Sequence, residues 1–264
     1  MNRLKKLFKT LAKQERCGLI AYVTCGDPDV ESTPRIVEAL QRAGADAIEL
    51  GVPFSDPIAD GPVIQAAAQR SLERGTTTEH LFAIARRVRG RSEIPLVAFS
   101  YVNPVMRYGA ERFAKDAAAA GIDAILFTDL PPEAAGEIRE ICRRNGVATV
   151  FLLAPTSNDK RVAVIDRASD GFVYYVSTTG VTGARRELDP ALVARLDEVR
   201  TRLRNPLAVG FGISQPEHYE ALRDHCDAVV VGSAIVRAID EGDPAGAAER
   251  AADVVRRILA PVAV

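Results

Sequence analysis

The sequence predicts a single (β/α)8 TIM barrel, in which each of eight strands leads into a helix. Three observations predict this fold. The 264 residues are 47% hydrophobic and 26% charged, which suits one large α/β domain spanning residues 1–264. Eight apolar runs are continuous rather than alternating, as in parallel strands that are buried on both faces. Amphipathic helical patterns separate these runs, and eight such units in about 250 residues match a barrel.

An extra helix is predicted at the N-terminus, over Met1–Gln14. Leu4, Leu7, Phe8 and Leu11 share one face of this helix. The segment lacks the continuous apolar core of a secretory signal, so we expect the helix to cap one end of the barrel. An organellar address or a helix on a membrane surface is the less favoured alternative.

The eight strands follow in order as runs rich in Val, Ile and Phe: Leu19–Val23, Ala47–Leu50, Leu96–Tyr101, Ala124–Thr128, Ala148–Leu153, Phe172–Val176, Leu207–Val209 and Ala228–Val231. Helical patterns between them include Pro34–Ala43, Leu81–Val88, Glu133–Arg144 and Pro190–Leu203. An open doubly wound sheet is the alternative fold. It is disfavoured because no G-x-G-x-x-G follows the first strand.

Two connections are too long for a simple strand-to-helix crossover. Strands 2 and 3 begin 49 residues apart, at positions 47 and 96, and strands 6 and 7 begin 35 residues apart, at 172 and 207. The first gap has room for an extra helix at Val63–Leu72, and a further extra helix is expected after strand 8. Active sites of barrels are built from such loops, so we expect the chemistry after strands 2 and 6.

The segment from Glu49 to Pro62 places two carboxylates in the first long loop. Glu49 ends an apolar strand, where a charge loses its hydration, and Asp60 follows a loop stiffened by prolines. Such a pair predicts general acid–base chemistry, in environments able to separate the two pKa values. Two structural alternatives stay open: Glu49 would form an ion pair inside the barrel, and Asp60 would cap the helix at Val63–Leu72.

Glycine turns follow the last two strands, at Gly210–Ser214 and Val231–Ala234. Loops after strands 7 and 8 form a recurrent phosphate site in this fold. Bare backbone N–H groups and the positive end of a helix bind an anion without any Lys or Arg. The two turns are therefore predicted to bind a phosphate, with Gly183, across the mouth of the barrel, as a further source of a backbone N–H.

Aromatic and apolar side chains cluster near the predicted strand ends that carry the carboxylates. Ordinary barrel core would explain most of them, but a cluster rich in aromatic rings also suits a slot for a flat apolar ligand. Tyr174 and Tyr175 point to opposite faces, so only one of them lines this slot. The other predicted lining residues are Tyr22, Phe99, Tyr101, Leu126, Thr128, Leu152 and Phe211.

Composition argues against several classes of function. The formal net charge of −1 gives no electrostatic reason to expect nucleic acid or a membrane surface as a partner. No apolar run is long enough to span a bilayer. The four cysteines form no C-x-x-C pair and indicate reduced thiols of a cytoplasmic protein. The three histidines have no partner at ligand spacing, so no metal is predicted.

The most specific segments are Glu49–Pro62, followed by Gln65, and Gly180–Gly183, followed by Ala184. Through them, and over nearly the whole chain, the sequence resembles the tryptophan synthase alpha chain family. The resemblance implies a reverse aldol cleavage of indole-3-glycerol phosphate into indole and glyceraldehyde 3-phosphate.

The resemblance also implies roles for individual residues. Glu49 would act as general acid and base for the side-chain and C3 protons, and Asp60 would accept or stabilise the indole N–H as positive charge develops. Thr182 would close over Asp60 as the strand-6 loop folds down. The phosphate would be held by Gly183, Gly212, Gly232 and Ser233. Alignment of residues 177–183 with the family selects Tyr174 as the inward-facing tyrosine.

A partner is implied as well. Family members pair with a beta subunit, in an alpha–beta–beta–alpha complex, which condenses indole with serine by means of pyridoxal phosphate. No cofactor is expected in this chain. The segments that resemble the partner-facing surfaces contain Pro53, Asp56, Pro57, Asn103 and Pro104.

Three other functions remain as alternatives. A stand-alone indole-3-glycerol phosphate lyase would work without a partner. A sugar-phosphate isomerase or epimerase on the same barrel would share the glycine turns but would need a different acid–base set. A weakly active regulatory subunit would have no need of an intact Glu49 and Asp60.

Overall fold

Eight parallel strands pair in sequence order and close into a barrel in the computed structural model, which describes residues 2–176, 190–210 and 212–262. The strands are β1 Gly18–Thr24, β2 Ala47–Gly51, β3 Leu96–Ser100, β4 Ala124–Phe127, β5 Ala148–Leu153, β6 Val173–Val176, β7 Leu207–Gly210 and β8 Ala228–Val231. Pairing of β1 with both β2 and β8 closes the sheet. The predicted barrel is confirmed, and the predicted strand ends differ from the observed ones by at most one residue.

The helices of the described residues are α1 Arg3–Lys13, α2 Ser32–Arg42, α3 Pro62–Glu73, α4 Thr78–Arg89, α5 Val102–Tyr108, α6 Ala110–Ala119, α7 Gly136–Arg144, α8 Asp159–Ala168, α9 Pro190–Arg202, α10 Pro216–Leu222, α11 Ser233–Asp240 and α12 Ala247–Ile258. The extra helices predicted at the N-terminus and after strands 2 and 8 are all present. The sequence does not predict α5, because seven residues with a proline in the first turn are too few to show helical periodicity.

The helix α1 closes the end of the barrel where the strands begin, which we call the amino-terminal edge. Leu4, Phe8 and Leu11 are buried and join the cluster of side chains inside the barrel. The rings of Phe8 and Phe172 lie 5.8 Å apart between centroids. Burying each such side chain stabilises the fold by about 1.5–3 kcal/mol. The apolar face predicted from the sequence is therefore the face that packs.

Aspartates at the amino-terminal edge fix neighbouring strands to one another. Each precedes an even-numbered strand and accepts a hydrogen bond from an amide at the start of the strand before it. The bonds run from Leu19 to Asp46 at 2.9 Å, from Leu96 to Asp123 at 3.0 Å and from Leu207 to Asp227 at 2.7 Å. The same three aspartates form ion pairs with Arg16, Arg89 and Arg200. Carboxylates at this edge therefore have structural partners.

Candidate active site

Glu49 lies near the end of β2 with its side chain inside the barrel. Ala47, on the same face of the strand, belongs to the interior cluster, whereas Ile48 and Leu50 pack outside against the helices. The Glu49 carboxyl is fully buried, and neither oxygen has a hydrogen-bond partner among the described residues. Burial raises its pKa from 4.5 to about 8. Within the described residues, the ion-pair alternative for Glu49 therefore does not hold.

Asp60 lies in the loop between β2 and α3, beside Tyr101. The Tyr101 hydroxyl donates to Asp60 Oδ2 at 3.0 Å and accepts from the Ala59 amide at 2.9 Å. Burial raises the pKa of Asp60 to about 6, although the hydrogen bond from Tyr101 opposes the shift. Gly61 takes the N-cap position of α3, so Asp60 does not cap that helix. The Asp60 carboxyl is instead held by a tyrosine from just past β3.

Tyr22 and Tyr174 bring aromatic rings next to both carboxyls. Tyr22 is the register partner of Glu49 between β1 and β2, and its ring lies edge-on to Phe99 with 5.1 Å between centroids. Burial raises the pKa of both tyrosines, and the negative fields of Asp60 and Glu49 raise it further. These charged and aromatic groups therefore lie within electrostatic reach of one another, in a single site.

Other predicted lining residues also lie at this end of the barrel. Tyr174 joins the interior cluster while Tyr175 packs outside, so Tyr174 is the inward-facing tyrosine of the two. Leu126 and Leu152 belong to the same interior cluster. Thr128 is half-buried just past β4.

The predicted phosphate-binding turns adjoin the aromatic slot. Gly232 directly precedes α11, and Ser233 is the first residue of that helix. A Cβ placed on Gly232 would lie 3.6 Å from the Cβ of Tyr22. Gly212 is exposed and has a φ of +67°, a conformation that favours glycine. Three predicted residues lie outside the described ranges: Thr182, Gly183 and Phe211.

Comparison with known proteins assigns this chain to a family. The family model for the tryptophan synthase alpha chain matches residues 8–262. The chain belongs to the tryptophan synthase alpha chain family. The tryptophan synthase alpha chain of Solibacter usitatus is 52% identical over 249 residues, which cover 94% of this chain and 93% of that one. That of Geobacter sulfurreducens is 45% identical over 237 residues, covering 90% of each chain.

Solved structures of tryptophan synthase alpha chains have the same fold. The alpha subunit of Legionella pneumophila superimposes with a TM-score of 0.91 at 33% identity, covering 98% of this chain and 97% of that chain. A Pyrococcus furiosus structure, described as the basis of mutual activation of the tryptophan synthase a2b2 complex, superimposes with a TM-score of 0.85. Its identity is 42%, and it covers 92% of this chain and 97% of that chain. The family resemblance and the barrel are both confirmed.

Two glycines of this alpha-chain family member have a role that the sequence analysis missed. A Cβ on Gly51 would lie 2.1 Å from the Tyr22 hydroxyl oxygen, and one on Gly210 would lie 2.4 Å from that of Tyr174. No side chain fits at such distances, so each tyrosine of the slot needs the glycine of a neighbouring strand. A glycine inside a buried strand is the sequence signal of such a close approach.

The residues predicted to face a beta subunit of tryptophan synthase differ in exposure. Asp56 and Asn103 are exposed, whereas Pro57 and Pro104 are partly exposed. Pro53 is buried.

Neither a metal-binding cluster nor a membrane-spanning helix is present in the described residues. These contain no group of three or more His, Cys, Asp or Glu side chains placed to hold a metal ion. None of their helices combines the length and the apolar character needed to cross a membrane. All four cysteines are buried and none forms a disulfide.

Proposed function

We propose that Glu49 and Asp60 carry out in this chain the reaction of its family, the cleavage of indole-3-glycerol phosphate into indole and glyceraldehyde 3-phosphate. One observation carries the proposal. A fully buried carboxyl, Glu49, and a half-buried one, Asp60, adjoin one aromatic slot, and loss of hydration raises their pKa values to about 8 and about 6. At neutral pH Glu49 therefore keeps a proton while Asp60 is ionised. A reverse aldol cleavage of an indole uses such an acid beside such an anion.

The bond that breaks joins indole C3 to the hydroxyl-bearing carbon of the side chain. Glu49 first gives its proton to C3, which leaves an imine-like ring with positive charge at the nitrogen. As a carboxylate, Glu49 then takes the proton of the side-chain hydroxyl. The electrons of the carbon–carbon bond return to the ring, and the hydroxyl carbon becomes the aldehyde of glyceraldehyde 3-phosphate. Glu49 ends protonated, ready for the next substrate.

Asp60 would face the indole N–H and stabilise the positive charge that develops there. A fixed charge in a site that excludes water is worth more than the same charge in solvent. The hydroxyl of Tyr101 orients the Asp60 carboxylate and favours its ionised form. A general acid or base of this kind typically contributes about 10²–10⁴ in rate.

The aromatic slot suits an indole ring, and its neighbouring turns suit a phosphate. Substrate binding is assigned to Tyr22, Phe99, Tyr101, Leu126, Thr128, Leu152 and Tyr174, and phosphate binding to Gly212, Gly232 and Ser233. The roles of Thr182, Gly183 and Phe211 stay predictions, as does closure of the strand-6 loop over Asp60.

The partner surface would lie on the β2–α3 loop and α5. Ile58 is 85% exposed and Met106 is 56% exposed, which is unusual for large apolar side chains and typical of a protein interface. They are close in sequence to the predicted contact residues Asp56, Pro57, Asn103 and Pro104. A beta subunit on this surface would receive indole and join it to serine by means of pyridoxal phosphate, while the reaction of this chain uses proton transfers and is assigned no cofactor.

We infer that residues 1–264 form one domain, and the closed barrel and the family match over residues 8–262 support this. We also infer that the protein is cytoplasmic. Four buried free thiols support that location, because a reducing compartment keeps thiols unpaired.

Indole release from indole-3-glycerol phosphate by the purified chain, with and without a beta subunit, tests the proposal. We expect indole from the wild type, a higher rate with the partner, and losses of about 100-fold or more in Glu49→Gln and Asp60→Asn. Circular dichroism and melting temperature show whether both variants remain folded. A wild-type chain that releases no indole under either condition would contradict the proposal. High activity that ignores the partner would identify a stand-alone lyase.

A further inference from the structure

We propose that Arg70 is a positioning residue that sets Asp60 in place relative to the helix α11. This rests on the proposed function, which assigns the chemistry to Asp60 and phosphate binding to the start of α11. Arg70 lies in α3, the helix that begins two residues after Asp60. Its guanidinium joins α3 to two other elements of the site.

The first connection is to the loop after β1. Arg70 donates from Nε and Nη2 to the two carboxylate oxygens of Asp27, at 3.1 Å and 2.7 Å. Asp27 is only 3% exposed, so this two-point contact is largely shielded from water and has a specific geometry. Next to it, the Ser71 hydroxyl donates to the Cys25 carbonyl at 2.5 Å. The second half of α3 is therefore fixed to the end of β1.

The second connection is to α11. The remaining guanidinium nitrogen, Nη1, forms an ion pair with Asp240 Oδ2 at 3.2 Å. Asp240 is the last residue of α11, and Ser233 is the first. The two helices also pack together, because Ala67 of α3 and Val236 of α11 are buried in one cluster with Tyr22. One guanidinium thus ties the loop after β1, α3 and the proposed phosphate helix together.

The start of α3 holds the Asp60 loop. The Gln65 side chain donates to the Asp60 carbonyl at 2.9 Å and to the Pro57 carbonyl at 3.3 Å. Arg70 lies about 12 Å along the helix axis from Pro62. Because a helix moves as a rod, a shift at the Arg70 end moves the Asp60 end. A misplacement of about 1 Å can cost about 100-fold in rate, even when the mutation is far from the chemistry.

Two variants test the proposal, with a third as control. Arg70→Lys keeps the charge but cannot make the two-point contact and reach Asp240 as well. Asp240→Asn weakens only the connection to α11, at a side chain that is 53% exposed. Arg204→Lys is the control, because Arg204 Nε pairs with the buried Asp166 at 3.0 Å at the amino-terminal edge, away from the site.

We expect Arg70→Lys to lower kcat/KM for indole-3-glycerol phosphate by about 10- to 100-fold. Asp240→Asn should lower it by about threefold, since one of the two connections remains. Binding of inorganic phosphate should stay within about twofold of wild type in both, because phosphate alone does not need Asp60 in place. Arg204→Lys should lower the melting temperature and leave kcat/KM unchanged.

Other outcomes would overturn the inference. Wild-type kcat/KM in both Arg70→Lys and Asp240→Asn would show that the connections do not position Asp60. A loss of phosphate binding equal to the loss in kcat/KM would reduce Arg70 to a structural role. The same would follow if Arg204→Lys lost as much activity as Arg70→Lys. If Arg70→Lys does not fold, Asp240→Asn decides alone. In each case indole release by the wild type leaves the proposed function standing, whereas its absence would overturn that function itself.

Discussion

Buried carboxyls at the two ends of the barrel differ in their hydrogen bonds. Asp166, at the amino-terminal edge, is 4% exposed. Burial raises its pKa, but hydrogen bonds from Asn205 and Arg204 outweigh that effect and lower the pKa overall. Glu49, at the opposite end, is fully buried with no partner among the described residues, and burial raises its pKa to about 8. The pKa of a buried carboxyl is therefore lowered at one end of the barrel and raised at the other.

This difference in hydrogen bonding separates carboxyls that stabilise the fold from those proposed to take part in the chemistry. In barrels of this kind the amino-terminal edge stabilises the structure, and the carboxyl ends of the strands carry the active site. A buried polar group without partners lowers stability, and perturbed pKa values cluster at functional sites. Asp166 has donors, whereas Glu49 has none among the described residues. This contrast supports the proposal that Glu49 exchanges protons with the substrate.

The largest expected effect is that one carboxyl variant loses activity while the other loses stability. Glu49→Gln should lower indole release by about 1,000-fold, because it removes the proton donor, and should leave the protein folded. Asp166→Asn should keep the activity per folded molecule and lower the free energy of unfolding by about 1–3 kcal/mol, because it weakens bonds to Arg204 and Asn205. Indole assays and urea unfolding of both variants measure the two effects. A Glu49→Gln variant that keeps activity but loses stability would reverse the assignment.

The pH dependence of stability sharpens the comparison for Glu49. The carboxyl has a pKa of about 8 when folded and 4.5 as its ordinary value. Between these values the unfolded chain releases the proton while the folded chain keeps it. Stability is therefore full below about pH 4.5 and falls as the pH rises through about 8, by up to about 5 kcal/mol. Glu49→Gln lacks this loss, so its advantage in the free energy of unfolding should grow from about pH 5 to about pH 9.

Urea unfolding of wild type and Glu49→Gln across that range measures the effect. Asp166→Asn, measured beside them, should show no such gain on the alkaline side, because the pKa of Asp166 is shifted in the opposite direction. Parallel stability curves for wild type and Glu49→Gln would mean that Glu49 is ionised in the folded protein near neutral pH.

Removing a carboxylate from the amino-terminal edge tests the other side of the comparison. Asp123 accepts from the Leu96 amide at 3.0 Å and pairs with Arg89 at 3.3 Å. Asp123→Ala leaves the buried Leu96 amide without its acceptor and removes the carboxylate partner of Arg89, which keeps its bonds to backbone carbonyls. The change should cost about 2–4 kcal/mol. Thermal and urea unfolding measure the loss. Asp123→Asn is the matched control, because it keeps an acceptor for the amide, and should lose less. Neither variant should change kcat on the folded enzyme.

The barrel could be predicted from the sequence because each strand is buried on both faces. Runs such as Ala228–Val231 are apolar throughout, which leaves a parallel sheet as the natural explanation. The helix α5 could not be predicted, since it is short and contains Pro104. Tyr101, predicted as the last residue of strand 3, is instead the N-cap of α5, and its hydroxyl donates to Asp60.

The site was partly predictable for a related reason. Glu49 is conspicuous in sequence because an ionisable residue ends an apolar run. Asp27 gave no such signal: before a proline it resembles a turn residue, and only the fold shows that Arg70, 43 positions away, pairs with it. The contact between Tyr101 and Asp60 likewise joins residues 41 positions apart. Periodicity describes neighbours along the chain, so contacts between distant loops need the structure.

The smallest expected effect concerns the hydroxyl that holds Asp60. Indole release should rise with pH as Asp60 ionises, through its pKa of about 6, and fall as Glu49 loses its proton at about 8. Tyr101→Phe removes a hydrogen bond that favours the Asp60 carboxylate, so the acid limb should move to higher pH, by up to about one unit. The rate at neutral pH should fall by about tenfold or less.

Tyr175→Phe is the matched control for Tyr101→Phe. Tyr175 is equally buried but packs outside the barrel, and its hydroxyl has no hydrogen-bond partner among the described residues. Removal of the Tyr175 hydroxyl should leave both limbs of the pH profile unchanged. A profile of kcat/KM against pH for the three proteins makes the measurement. An unmoved acid limb in Tyr101→Phe would mean that the limb does not report Asp60, and that the carboxyl next to Tyr101 belongs with the structural carboxyls of the opposite edge.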